Sequence, residues 1–84
     1  EEFALILPET DPQGAMLTVE RLREYLSELA IPIDSGTLTV TVSIGVTTVR
    51  DPSDTIEGAL KRADEALYKA KGSGRNRTVA YENM

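Results

Sequence analysis

Two adjacent carboxylates, Glu1 and Glu2, stand immediately before an apolar run, Phe3-Ala4-Leu5-Ile6-Leu7. A hard divalent ion such as Mg²⁺ takes oxygen ligands, commonly one or two protein carboxylates together with phosphate oxygens, so a glutamate pair at the mouth of a strand suits half of a metal-nucleotide site. By spacing alone, two terminal glutamates are more often solvated surface than ligands. Near the other end, Lys71-Gly72-Ser73-Gly74-Arg75-Asn76-Arg77 carries more information. Cations in the last turn of a helix complement its negative pole, which accounts for Lys69 and Lys71 with no ligand at all. Two glycines followed by Arg and Asn add exposed backbone amides and a planar guanidinium fork that can hold phosphate oxygens in pairs. A third set, Arg21 and Arg23, lies among Glu20, Glu24 and Glu28, where surface ion pairs on a helix are the ordinary outcome.

The composition narrows what these residues can do. The 84 residues contain no cysteine and no histidine, so a Cys/His zinc site, a disulfide scaffold, a thiol nucleophile and an imidazole base are all excluded. Chemistry here must run on carboxylates, Lys, Arg, hydroxyls and a hard metal. The net charge of −5 opposes binding to a phosphate backbone or an anionic membrane, and the basic stretch lacks the interleaved aromatics of a single-strand binder. The charge is also split along the chain. Residues 1–60 hold 3 basic and 11 acidic side chains, and residues 61–84 hold 6 and 3. No apolar run approaches the roughly 18 to 20 residues of a membrane span, and no signal-peptide pattern is present, so a soluble, cytoplasmic domain is expected.

Elements that would position these groups follow from periodicity. The apolar run 3–7, stopped by Pro8, reads as a strand buried on both faces. Asp11 then offers a helix cap with Pro12 at the first helical position, and Ala15, Val19, Leu22, Leu26 and Leu29 form one stripe, with Glu20, Arg23, Glu24 and Glu28 turned outward. Ile31-Pro32-Ile33 reads as an edge strand, since proline tolerates only a position without a ladder donor, and Asp34-Ser35-Gly36 as a turn. From Leu38 to Val46 strict alternation predicts one continuous strand, in which Gly45 favours close approach of another element. Asp51 to Asp54 is a turn and cap cluster opening a second helix, whose buried stripe is Ile56, Ala59, Leu60, Ala63, Leu67 and Ala70. Gly72-Ser73-Gly74 ends it, and 78–81 closes the fold as a strand. Tyr25 and Tyr68 are expected to pack, and Lys61, Arg62 and Lys69 to remain in solvent. The order strand, helix, strand pair, helix, strand is an α/β layer with two helices on a sheet.

Read together, Glu1-Glu2-Phe3, Pro8-Glu9-Thr10-Asp11, Glu20-Arg21-Leu22-Arg23, Thr41-Val42-Ser43-Ile44-Gly45-Val46, the stretch Ala63-Asp64-Glu65-Ala66-Leu67-Tyr68-Lys69-Ala70-Lys71 and Gly74-Arg75-Asn76-Arg77 closely resemble the GGDEF-domain diguanylate cyclases. The resemblance covers nearly the whole chain and implies a ferredoxin-like, nucleotide-cyclase-type α+β fold. It also implies that two GTP molecules are condensed to cyclic di-GMP with release of pyrophosphate, each held by one domain of a homodimer, with Mg²⁺ or Mn²⁺ as cofactor. Glu1 then matches the metal-ligating signature acid, and Glu2 the acid associated with the metal and with activation of the attacking hydroxyl. Lys71 and Arg75 match the phosphate-holding basic residues, and Arg21 the helix arginine of a secondary product-inhibition contact.

On the same resemblance, residues 1–84 are the C-terminal part of one GGDEF domain. Its signature glycines, a further metal aspartate, the guanine-reading residues and the inhibitory Arg-x-x-Asp would all precede residue 1. The first strand of the fold would run between the strands at 3–7 and 38–46, so its absence would leave apolar sheet and open edges. The chain alone is therefore expected to be inactive and to self-associate. The alternative is a degenerate GGDEF module that binds nucleotide or a partner domain without turnover. Neither reading involves nucleic acid or direct membrane insertion, and any membrane anchor would belong to other domains of the parent.

Overall fold

The computed structural model describes residues 5, 7–49 and 51–84. Glu1, Glu2 and most of the strand expected over 3–7 lie outside them, and Leu5 is 62% exposed. The first helix, α1, spans Pro12–Glu28 as its cap predicts: the Asp11 carboxylate accepts from the Gly14 amide at 2.7 Å, and Pro12 occupies the first turn. Ala15 and Val19 are its buried residues, whereas Leu22, expected on the same stripe, is 42% exposed.

Two short strands follow, β1 at Ile31–Ile33 and β2 at Gly36–Leu38. They form an antiparallel hairpin in which Ile31 faces Leu38. The continuous strand expected over 38–46 is instead divided. Its start belongs to this hairpin, and its end is a separate strand, β3 at Ile44–Val46. Strand β3 pairs in parallel with β4 at Thr78–Ala80, in the register Ile44 to Thr78 and Val46 to Ala80. Among the described residues 39–43 have no ladder partner. The alternation of side chains fixes which face each residue takes, but a strand is held only where another backbone meets it.

Helix α2, Ile56–Gly72, crosses over between these parallel strands, giving a β-α-β unit. Its cap is Thr55, whose hydroxyl accepts from the Gly58 amide at 2.9 Å. The upstream Asp51 serves the turn instead, accepting from the Ser53 amide and hydroxyl. The buried face of α2 is made of alanine. Ala66 and Ala70 are wholly buried, while Ile56 and Leu60, expected in the stripe, are 73% and 52% exposed. Gly45 explains the shift. A Cβ there would lie 2.2 Å from the Ala63 carbonyl oxygen and 2.3 Å from the Leu67 nitrogen, so the helix backbone rests directly on β3. At that separation only alanine fits between helix and strand.

Arg62, expected in solvent, is instead a brace. It forms paired bonds to the Asp54 carboxylate, donates Nε to the Thr47 hydroxyl at 3.1 Å and donates Nη2 to the Thr48 carbonyl at 3.1 Å. Its hydrogen bonds hold the Asp54 carboxyl below the usual carboxylate range. Glu82, in the 3₁₀ turn Tyr81–Asn83, accepts from the Thr47 and Thr48 hydroxyls and the Thr48 amide. Burial opposes ionisation of Glu82, and bonds from backbone amides and these hydroxyls more than offset it. Guanidinium geometry reaches three acceptors at once, which makes this loop a tie between α2, β3 and the chain end. Tyr25 on α1 and Tyr68 on α2, expected to pack, are 62% and 80% exposed; on α2 the alanine face takes the core-facing side.

Candidate functional site

The basic turn after α2 is built by a helix C-cap. Ser73 donates its amide to the Lys69 carbonyl at 3.0 Å, and Arg75 donates its amide to the Ala70 carbonyl at 3.0 Å, the long return bond of a Schellman motif. Gly74 takes φ 118° as that motif requires, and the Arg77 guanidinium lies over it, with Nη2 2.7 Å from where a Cβ would stand. The left-handed backbone then continues for two residues that are not glycine, with Arg75 at φ 64° and Asn76 at φ 47°. Asparagine tolerates this region, but arginine does so at a cost on the order of 1–2 kcal/mol.

Hydrogen bonds from distant elements hold the turn. Asn76 donates its amide to the Ser43 hydroxyl at 3.1 Å. Arg23 of α1 donates Nη1 to the Asn76 side-chain oxygen at 2.8 Å and to its carbonyl at 3.3 Å. Nε and Nη2 of Arg23 pair with the two carboxylate oxygens of Glu20 at 3.0 and 2.9 Å. Arg23 was expected to face outward on α1. Its side chain is only 17% exposed, because the fork reaches from its own helix to the turn. Glu20 is pushed down to about 2, chiefly by the Arg23 bonds and next by the Thr78 hydroxyl, with partial burial opposing. That hydroxyl is buried and makes no hydrogen bond of full geometry among the described residues. It therefore acts on Glu20 as a nearby dipole, and the Arg23 pair dominates.

The candidate site residues fall into three groups. Lys71 and Arg75 stand on this one feature, Lys71 half-buried in the last turn of α2 and Arg75 exposed on the left-handed turn. Arg21 is exposed on α1, two residues before the arginine that holds the turn. Glu1 and Glu2 lie outside the described residues. Among the described residues no group of three or more His, Cys, Asp or Glu stands together. Spacing gave no sign of Arg23, Asn76 and Ser43 as a unit. The nearest signal was the Glu20 and Arg23 pair at i, i+3.

Electrostatics argue for an anion at this turn only through side chains. A helix C-terminus carries a negative pole, the reverse of the phosphate-binding helix N-terminus, so Lys69, Lys71 and Arg75 must overcome it. A shallow concavity of about 550 Å³ nearby is lined by Asp64, Glu65, Tyr68 and Lys69. Its carboxylates make it a poor phosphate seat.

Residues 1–77 match the family described as "Diguanylate cyclase, GGDEF domain". The chain belongs to the GGDEF family. It is 44% identical over 81 residues to the response regulator PleD of Caulobacter vibrioides, covering 94% of this chain and 18% of that protein. It is 37% identical over 83 residues to diguanylate cyclase A of Treponema denticola, covering 99% of this chain and 22% of the relative. The chain thus spans about a fifth of these relatives' length. Among solved structures, the GGDEF domain of DgcB from Caulobacter crescentus, determined in complex with c-di-GMP, superposes with a TM-score of 0.82. It is 32% identical and covers 90% of this chain and 46% of that one. Diguanylate cyclase SiaD from Pseudomonas aeruginosa, determined with its activator SiaC, gives 0.81 at 40% identity, over 88% of this chain and 28% of that one. The two helices and small parallel sheet are part of a nucleotide-cyclase-type fold. No helix among the described residues is long and apolar enough to cross a membrane.

Proposed function

We propose that the parent of this GGDEF chain condenses two GTP molecules to cyclic di-GMP with release of pyrophosphate, as a cytoplasmic homodimer. In this reading residues 1–84 supply about half of each nucleotide site. The observation that carries it is the basic turn, where Arg75 is held left-handed beside Lys71 in a chain that matches the family over residues 1–77. Strain of this kind persists where function requires it and the surroundings over-determine it.

Lys71 and Arg75 bind and orient the GTP phosphates, and their positive charge offsets what accumulates on the transferring phosphoryl group. Glu2 accepts the proton of the attacking 3′-hydroxyl or orients it, and Glu1 with Glu2 would hold Mg²⁺ or Mn²⁺. When bound, the ion neutralises phosphate charge as a Lewis acid. Arg21, exposed on α1, is the secondary contact for bound product. Support for these assignments is residue-by-residue agreement with the family pattern.

The full-length parent incubated with GTP and Mg²⁺ tests the reading. Cyclic di-GMP is expected, with Glu2→Gln silent. Lys71→Ala and Arg75→Ala should each raise KM for GTP about tenfold or more, the loss of one charge-assisted contact. Wild-type protein that yields no more cyclic di-GMP than Glu2→Gln sinks the proposal.

A further inference from the structure

We infer that Arg23 is a positioning residue for the phosphate-binding turn, setting the backbone from which Arg75 acts by holding Asn76 in its left-handed conformation; this rests on the assignment of Arg75 proposed above.

The peptide groups on both sides of Arg75 are pinned. The one before it is held by the Arg75 amide on the Ala70 carbonyl at 3.0 Å. The one after it is held at both ends, with Arg77 Nε donating to the Arg75 carbonyl at 3.1 Å and the Asn76 amide donating to Ser43 at 3.1 Å. Those bonds leave the next peptide group to be fixed. Arg23 does this by donating to the Asn76 carbonyl and, more closely, to its side-chain oxygen, 53 residues away in sequence. Glu20 keeps the guanidinium plane in place by accepting from its other edge. A left-handed Asn and a left-handed Arg in succession are not a conformation the chain keeps unaided. The bridge reaches from α1 to the loop between α2 and β4, so α1 meets the β-α-β unit at the residue next to the phosphate contact.

A lysine at 23 retains charge and one bond but not the fork that serves Glu20 and Asn76 together. Asn76→Gly removes only the side-chain acceptor and keeps the left-handed backbone accessible. In the full-length parent, GTP affinity by calorimetry, KM, kcat and the melting temperature would be measured for Arg23→Lys, Asn76→Gly and the double variant. Arg23→Lys is expected to raise both the Kd and the KM for GTP roughly tenfold, since sub-ångström misplacement of a binding group is felt on that scale. A kcat within about threefold of wild type should accompany that change. The double variant should be no worse than Arg23→Lys alone, because both act through one contact.

Wild-type Kd and KM in Arg23→Lys overturn the inference. So does a fall in kcat that tracks a lowered melting temperature at unchanged KM, the signature of a merely structural bond. If the wild type binds GTP but makes no cyclic di-GMP, the proposed activity fails while the Kd comparison still decides the role of Arg23. If it binds no GTP, both fall.

Discussion

Glu20 shows how one carboxylate reports on the turn. Its carboxyl lies near 2 in the folded protein, against an ordinary value of 4.5, mainly because Arg23 bonds to both oxygens. A carboxyl depressed on folding contributes stability in full above its unfolded value and loses it as pH falls through its folded one. The contribution should therefore be complete at pH 6 and fade between about 4.5 and 2. Glu20→Gln in the full-length parent should melt lower than wild type at pH 6, and the gap should close as pH approaches 2. A gap that persists unchanged at pH 2 would show that the pair does not hold Glu20 ionised. Arg62 illustrates the complementary lesson at the same scale. Its charge suggested solvent, yet its fork joins Asp54, Thr47 and Thr48 around one bend, a geometry that a lysine cannot copy.

Among the elements, the contact of α2 with β3 is the most exacting. The close approach expected at Gly45 is present, and backbone atoms rather than flexible side chains occupy the space a Cβ would need. Ala66 and Ala70 complete the seam with no exposed surface. Gly45→Ala is expected to destabilise the domain by about 3 kcal/mol, the upper part of the overpacking range, because no rotamer change can relieve the clash. Equilibrium denaturation of the full-length parent against the variant measures this. A change below 1 kcal/mol would mean that α2 slides freely on the strand. At the start of α1, Asp11→Ala removes a bond to the Gly14 amide and should cost about 1 kcal/mol by the same measurement.

At the scale of the molecule, the 84 residues leave much apolar surface uncovered. Ala15, Val19, Ala66 and Ala70 are the buried hydrophobic residues among those described, and none of the described large side chains is fully buried. Leu22, Ile31, Ile33, Leu38, Ile56 and Leu60 are all more than a third exposed. The overall shape is drawn out to 51 × 26 × 19 Å. The stretch 39–43, with alternating Val40 and Val42, has no ladder partner among the described residues. The 84-residue polypeptide on its own is predicted to self-associate, and light scattering should report species larger than 9.2 kDa at micromolar concentration. A monodisperse monomer with one cooperative melting transition would refute this.

Much of this was legible in the sequence, and for local reasons. The Asp11-Pro12 cap, both helices and the glycine end of α2 depend on residues within a turn or two of one another, so type and spacing were enough. The close approach at Gly45 showed as a lone glycine in a strand pattern, although its partners, Ala63 and Leu67, lie on another element. The family itself is carried by short runs such as Ser43-Ile44-Gly45-Val46 and Gly74-Arg75-Asn76-Arg77. Three features needed the tertiary structure. Alternation from Leu38 to Val46 predicted one strand, but pairing depends on where β1 and β4 run. The helical stripe pointed to Ile56 and Leu60, but the depth at which α2 sits on Gly45 selects alanines. Most of all, the spacing of Glu20 and Arg23 suggested a surface pair, and only the fold brings Asn76 within 2.8 Å of that arginine. A hydrogen bond across 53 residues leaves no periodic trace, because the geometry that makes it exists only once helix and turn are packed together.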